Sequence, residues 1–202
     1  MSSIVVAGDT SGSVTLSAPA VANSTVLTLP SVSGSVTTDV GVQTLTNKTL
    51  GNTVVQASNA APAFSAYMGG VQTISTATFT KLAFNTKVFD TNTNYDAVTN
   101  YRFTPTVAGY YQVNGGCRIN QPAGGSEVIL SLYKNGAELI RGADNYITAT
   151  GGFVSPSFTY IVSMNGSTDY IELWIYQSSG VSQSTSNNVY GSWFQASMVR
   201  SA

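Results

Sequence analysis

The chain has 202 residues, of which 43% are hydrophobic and only 8% charged, with a net charge of −1; the usual charged share is roughly 25%. That length holds one domain, or one domain and an arm. Without a basic stripe nucleic-acid binding is not expected, no apolar run nears the roughly 20 residues that span a membrane, and the lack of any histidine removes the usual general base and the Ser-His-Asp triad.

A surface of Ser, Thr, Asn, Gln and Gly suits a protein packed in an assembly, because few charges must be desolvated. The opening Met1-Ser2-Ser3-Ile4-Val5-Val6 has neither a basic segment nor a long apolar stretch, so no secretory leader is expected. The single Cys117 reads as a small buried hydrophobe on a strand.

The character of the sequence changes near residue 60. Residues 1–60 carry three charged side chains, Asp9, Asp39 and Lys48, and no aromatic. Every Phe, Tyr and Trp falls in 61–202, so the packed head belongs there and 1–60 is an arm that neighbouring chains must order. Within the arm, Val14-Thr15-Leu16 and Val26-Leu27-Thr28-Leu29 read as short β pieces. The stretch from Val42 to Gly51 has leucines at 45 and 50, which fit no heptad, so no coiled coil is expected.

In the head, strand follows strand. Phe79 to Phe89 is β-rich; Tyr110-Tyr111-Gln112-Val113 follows Gly109. Val128 to Tyr133 runs into Asn135-Gly136, a hairpin turn whose residues tolerate positive φ, and Glu138 to Arg141 returns. Phe158 to Met164 leads to a second Asn-Gly, Asn165-Gly166, with Tyr170 to Tyr176 as the expected partner strand. Ser192 to Val199 closes the chain. Short strands, hairpin turns and no amphipathic helix give an all-β jelly-roll sandwich. In the 170–176 strand, Ile171, Leu173 and Ile175 face one way and Tyr170, Glu172, Trp174 and Tyr176 the other. Bulk on both faces argues for oligomerisation.

Several segments resemble the complement-globular-head family, which shares the tumour-necrosis-factor jelly roll. Pro62-Ala63-Phe64-Ser65-Ala66-Tyr67-Met68 is similar to its first strand, and Lys81-Leu82-Ala83-Phe84 with Asp90 and Asn94-Tyr95-Asp96 to its next stretch. Arg102-Phe103-Thr104-Pro105, then Ala108-Gly109-Tyr110-Tyr111, carries the most specific likeness; Ser192-Trp193-Phe194 resembles the closing strand. The resemblance covers roughly residues 62–200 and implies a homotrimer with an aromatic-rich face along the threefold axis. Phe64, Tyr111, Trp174 and Phe194 are the residues expected at that trimer interface.

The arm is similar to segments of tailed-bacteriophage fibre and virion-surface proteins, through Gly8-Asp9-Thr10-Ser11-Gly12-Ser13-Val14-Thr15-Leu16, Ala18-Pro19-Ala20, Leu27-Thr28-Leu29-Pro30 and Gln43-Thr44-Leu45-Thr46-Asn47-Lys48-Thr49-Leu50. The order of these segments, ahead of a head domain, implies a non-enzymatic protein of the virion surface. Two placements stand open. One is a capsid decoration (cement) protein whose residues 1–60 dock on the major capsid protein. The other is a short tail fibre, held by a tail or baseplate protein, that recognises host surface polysaccharide. Tyr146, Tyr190 and Trp193 are candidate glycan contacts, with core or interface packing as the competing role. No cofactor is expected. Asp90 and Asp96 are the pair a Ca²⁺ ion would use if one bound, as in some members of the family, with the competing role of turn residues that satisfy nearby N–H groups.

Overall fold

The computed structural model describes residues 3–7, 10–17, 61–120, 124–149 and 151–202. The expected β piece at 26–29 and the stretch 42–51 lie outside the described residues. The chain divides into two units, Met1–Val55 and Gln56–Ala202. In the first, β1 (Ser3–Ala7) and β2 (Ser13–Ser17) form an antiparallel ladder with Ser3 opposite Ser17 and Ala7 opposite Ser13.

The second unit continues with β3 (Ala63–Tyr67), β4 (Thr73–Ile74), β5 (Thr80–Lys81), β6 (Thr86–Asp90), β7 (Tyr95–Asp96), β8 (Arg102–Phe103), β9 (Ala108–Cys117) and β10 (Ile119–Asn120). Then come β11 (Ser126–Lys134), β12 (Ala137–Ile147), β13 (Phe153–Val154), β14 (Ser157–Asn165), β15 (Ile171–Gln177), β16 (Gln183–Thr185) and β17 (Ser192–Ser201). A five-stranded sheet runs β14-β9-β17-β3-β6, and a six-stranded one runs β12-β11-β15-β8-β7 with β5 also on β15. A short sheet, β13-β10-β16-β4, accompanies them. Every ladder among the described residues is antiparallel. This is the jelly-roll sandwich that the strand pattern predicts.

Alternation builds the core. In β9 the inward set includes Tyr111 and Val113, in β17 Phe194 and Ala196, in β3 Phe64 and Ala66; the opposing sheet supplies Leu130, Leu132, Ile171, Leu173 and Ile175, all buried. The sheets approach so closely that a Cβ added at Gly115 would meet Leu173. Phe64 anchors the aromatic part. Its ring stacks on Tyr95 at 4.4 Å and on Phe103 at 4.6 Å, and Phe194 meets it edge-on at 5.0 Å. Three of the four residues expected at a trimer interface are therefore elsewhere. Phe64, Tyr111 and Phe194 are 1%, 0% and 0% exposed within a single chain, so no surface of theirs is left for a second copy. Their bulk fills the space between the chain's own sheets. The Tyr111 hydroxyl donates to the Val107 carbonyl at 2.7 Å, which satisfies its one polar group, and burial raises its pKa to about 12.

The two Asn-Gly turns behave differently. Asn135 and Gly136 both have positive φ, 54° and 81°, and join the paired β11 and β12 as expected. Asn165-Gly166 joins strands of different sheets. β14 pairs with β9, and β15 pairs with β11, which corrects the expected hairpin. The Asn165 side-chain oxygen accepts the N–H groups of Ser167, Thr168 and Asp169. That local cap holds a loop that crosses the sandwich rather than a tight reversal. The β-rich run 79–89 also splits: β5 joins the six-stranded sheet and β6 the five-stranded one. Cys117 is fully buried at the end of β9, and burial raises its thiol pKa to about 12.

Candidate assembly face and ligand cleft

The outer faces of the two large sheets differ in chemistry. Across β3, β17, β9 and β14, the outward rows are Tyr67–Trp193–Gly116–Ser157, Ser65–Gln195–Asn114–Thr159 and Ala63–Ser197–Gln112–Ile161. No charged residue stands in these three rows; the next row sets exposed Arg200 beside Tyr110 and Ser163, and Lys87 pairs with Asp90 on the edge strand β6. Thr159 Oγ1 donates to Asn114 Oδ1 at 2.7 Å, one cross-strand link in the middle row. Trp193 lies over Gly116, where a Cβ would come within 2.5 Å of its ring, so the glycine makes the seat for the indole. Ile161, Tyr110 and Phe89 are 54%, 46% and 49% exposed on this sheet. The centre of this face, without charges, loses little when it is desolvated.

The outer face of the six-stranded sheet carries Lys81, Glu172, Glu138, Arg141 and Asp144 beside its aromatics. Lys81 Nζ pairs with Glu172 Oε1 at 3.1 Å, and Arg141 Nε with Glu138 Oε1 at 3.0 Å. Trp174, the fourth residue expected at the interface, stands here. Its ring stacks on Tyr133 at 4.8 Å and its Nε1 donates to Glu172 Oε2 at 3.2 Å. It shares no surface with Phe64, Tyr111 or Phe194, because the sheet itself lies between them.

The glycan candidates do not converge. Tyr146 is 68% exposed on β12, Tyr190 is 91% exposed in the loop before β17, and Trp193 is half-buried on the five-stranded sheet. Asp90 and Asp96 cap their own loops. Asp90 accepts the N–H groups of Asn94 and Tyr95 at 3.0 and 3.1 Å and pairs with Lys87 at 3.2 Å. Asp96 accepts the N–H groups of Val98, Thr99 and Asn100 at 2.9, 2.9 and 3.1 Å, and the Asn100 side-chain amide at 2.8 Å. Backbone N–H donation from Thr99 and Val98 leads the causes that hold the Asp96 carboxyl well below the usual carboxylate range.

The same loops line an open cleft of about 440 Å³, bounded by Thr93, Asn94, Asp96, Asn100, Arg102 and Thr104 with others. Its floor is fixed by Asn94, which is buried: its carbonyl accepts Thr104 N–H at 2.9 Å and its side-chain oxygen accepts Thr106 N–H at 3.3 Å. Thr93 and Tyr101 have positive φ, 55° and 51°, an unusual backbone conformation for bulky residues and a costly one for β-branched Thr93. Arg102 faces Asp96 across the β7–β8 ladder, yet the carboxylate is engaged by its own loop. The guanidinium instead lies 4.3 Å over the Tyr170 ring and has no ion pair among the described residues. Sequence reasoning gave Arg102 no ligand role. The signal was Asp96 followed by Asn100, which occupies the acid and leaves the arginine free.

No protein-family model matches the chain, and no curated protein matches it. Solved structures do. Murine APRIL at pH 5.0 superposes with a TM-score of 0.52 at 11% identity, over 69% of this chain and 99% of that one. Eiger TNF from S. frugiperda gives 0.51 at 10% identity, over 70% and 93%. The globular domain of zebrafish complement 1qA protein gives 0.49 at 16% identity, over 70% and 99%. At these identities the likeness to APRIL and Eiger TNF concerns the fold, a jelly roll shared by complement-type and tumour-necrosis-factor-type domains.

Proposed function

We propose, from a jelly roll of this type, that the chain is a non-enzymatic structural protein that works as a homotrimer on the surface of a tailed-bacteriophage virion. The observation that carries the reading is the centre of the five-stranded sheet's outer face, three adjacent rows without a charged residue. In those rows β3, β17, β9 and β14 present aromatic, aliphatic, hydroxyl and amide groups, and the nearest charge on these strands is Arg200 in the row beyond, while the other sheet presents paired charges. A second and third copy of the chain are the occupants this face fits, because like meets like without stranding a charge. The likeness to trimeric complement-type heads agrees with that stoichiometry.

For the particle, we favour capsid decoration, with residues 1–60 docked on the major capsid protein and the head projecting outward. The fibre-like segments of the arm favour a second placement, a short tail fibre joined to a tail or baseplate protein. Immunogold labelling of intact virions with antibody against residues 62–202 separates the two. Gold over the whole capsid is the expected result. Gold confined to the tail would replace decoration with the fibre, and no label on particles would overturn the virion reading.

A further inference from the structure

We propose that the cleft between β7, β8 and their loops binds a carboxylate-bearing sugar, with Arg102 holding the carboxylate. The inference stands on the cleft alone and not on the trimer or the particle.

Lys81, Lys87, Lys134 and Arg141 each have a carboxylate within 3.2 Å. Arg102, Arg118 and Arg200 have none among the described residues, and of these Arg102 alone lines the cleft, with Asp96 opposite it in register. The four N–H donors on Asp96 spend that carboxylate on its own loop. The Tyr170 ring lies 4.3 Å from the guanidinium carbon, a contact that engages one face and no N–H group. A planar fork matches a carboxylate with two parallel hydrogen bonds.

The lining sets the rest of the ligand. Thr93, Thr104 and Asn100 line the same cleft with hydroxyl and amide groups. These both donate and accept, as the hydroxyls of a sugar do. The Asn100 side-chain oxygen stays open as an acceptor, since its nitrogen is the atom that donates to Asp96. One negative charge already sits in the cleft on Asp96. A dianion such as phosphate or sulfate would meet that charge, whereas a monoanionic sugar acid offers hydroxyls that donate toward the acceptors and one carboxylate for Arg102.

The test is titration calorimetry of the full chain with galacturonic acid and N-acetylneuraminic acid, each beside neutral galactose and sodium sulfate. The expected result is saturable binding of at least one acidic sugar, with both comparison ligands weaker. Arg102→Gln and Arg102→Lys should each lower the affinity about tenfold or more, the loss of a charge-assisted bidentate contact. Thr104→Val should weaken it with the arginine intact, which covers the case in which an Arg102 variant fails to fold. The proposal is overturned if neither acidic sugar binds, if sulfate binds as well as they do, or if the folded variants bind like the native chain.

Discussion

Phe64 lies between Tyr95 and Phe103 and meets Phe194 edge-on, so its removal empties the centre of the aromatic core. Phe64→Ala should cost about 3–5 kcal/mol of stability, the range for a large buried aromatic whose cavity does not collapse. Urea unfolding checks the magnitude, and the variant should keep the native stoichiometry wherever it remains folded. Carboxylates set the acid behaviour. Asp96 and Asp169 are both held below the usual range, Asp96 first by backbone N–H donors and Asp169 first by its hydrogen bond to Lys134. A depressed folded pKa gives stability that is present above the unfolded value of about 3.9 and lost as pH falls below it. The native chain should therefore weaken below about pH 4. Asp96→Ala should be less stable near neutrality by about 1–2 kcal/mol, as for a lost cap, and should lose less on acidification. Equal acid losses in both proteins would exclude Asp96 as a contributor. At this scale the sequence identified Asp90 and Asp96 as turn residues in competition with a Ca²⁺ role, because Asp in a polar run commonly caps N–H groups. It did not single out Arg102 as a ligand, because its freedom depends on where four other donors point.

Strand identity was legible from alternation. Tyr110 to Val113, Val128 to Tyr133 and Ser192 to Val199 all fall within observed strands, since an apolar residue at every second position has one buried face available. Partner choice was less legible. Asn135-Gly136 and Asn165-Gly166 look alike in sequence, yet only the first joins paired strands. The difference lies in the following residues. Asp169 accepts the Asn165 N–H at 3.0 Å and pairs with Lys134 at 2.8 Å, which anchors the loop to the opposite sheet. The two glycines should respond differently to a methyl group. Gly166 has φ 70° and a Cβ there would strike the backbone of Ala108; Gly136 has φ 81° with the Tyr170 hydroxyl 3.4 Å from the added atom. Gly136→Ala should cost about 1 kcal/mol, the left-handed backbone penalty. Gly166→Ala should cost about 2 kcal/mol or more, because a clash adds to it. Paired denaturation midpoints decide this, and equal costs would mean the crossover loop yields freely.

For the whole molecule, composition pointed to assembly before any strand was placed, since an 8% charged chain has few groups to desolvate. The location of the assembly face was not legible in the same way. Aromatic residues drew attention to Phe64, Tyr111, Trp174 and Phe194, but aromatics fill cores at least as readily as interfaces. The informative signal was three adjacent rows without charge across β3, β17, β9 and β14, which emerge only when the strand order brings them side by side. In the trimer this face joins three copies. Sedimentation velocity of the native chain beside Ile161→Lys and Trp174→Lys tests it most directly. The native chain and Trp174→Lys should sediment as trimers, and Ile161→Lys as a folded monomer, because its added charge would be buried without a partner. A native monomer, or a trimer that survives Ile161→Lys and is lost with Trp174→Lys, would contradict it.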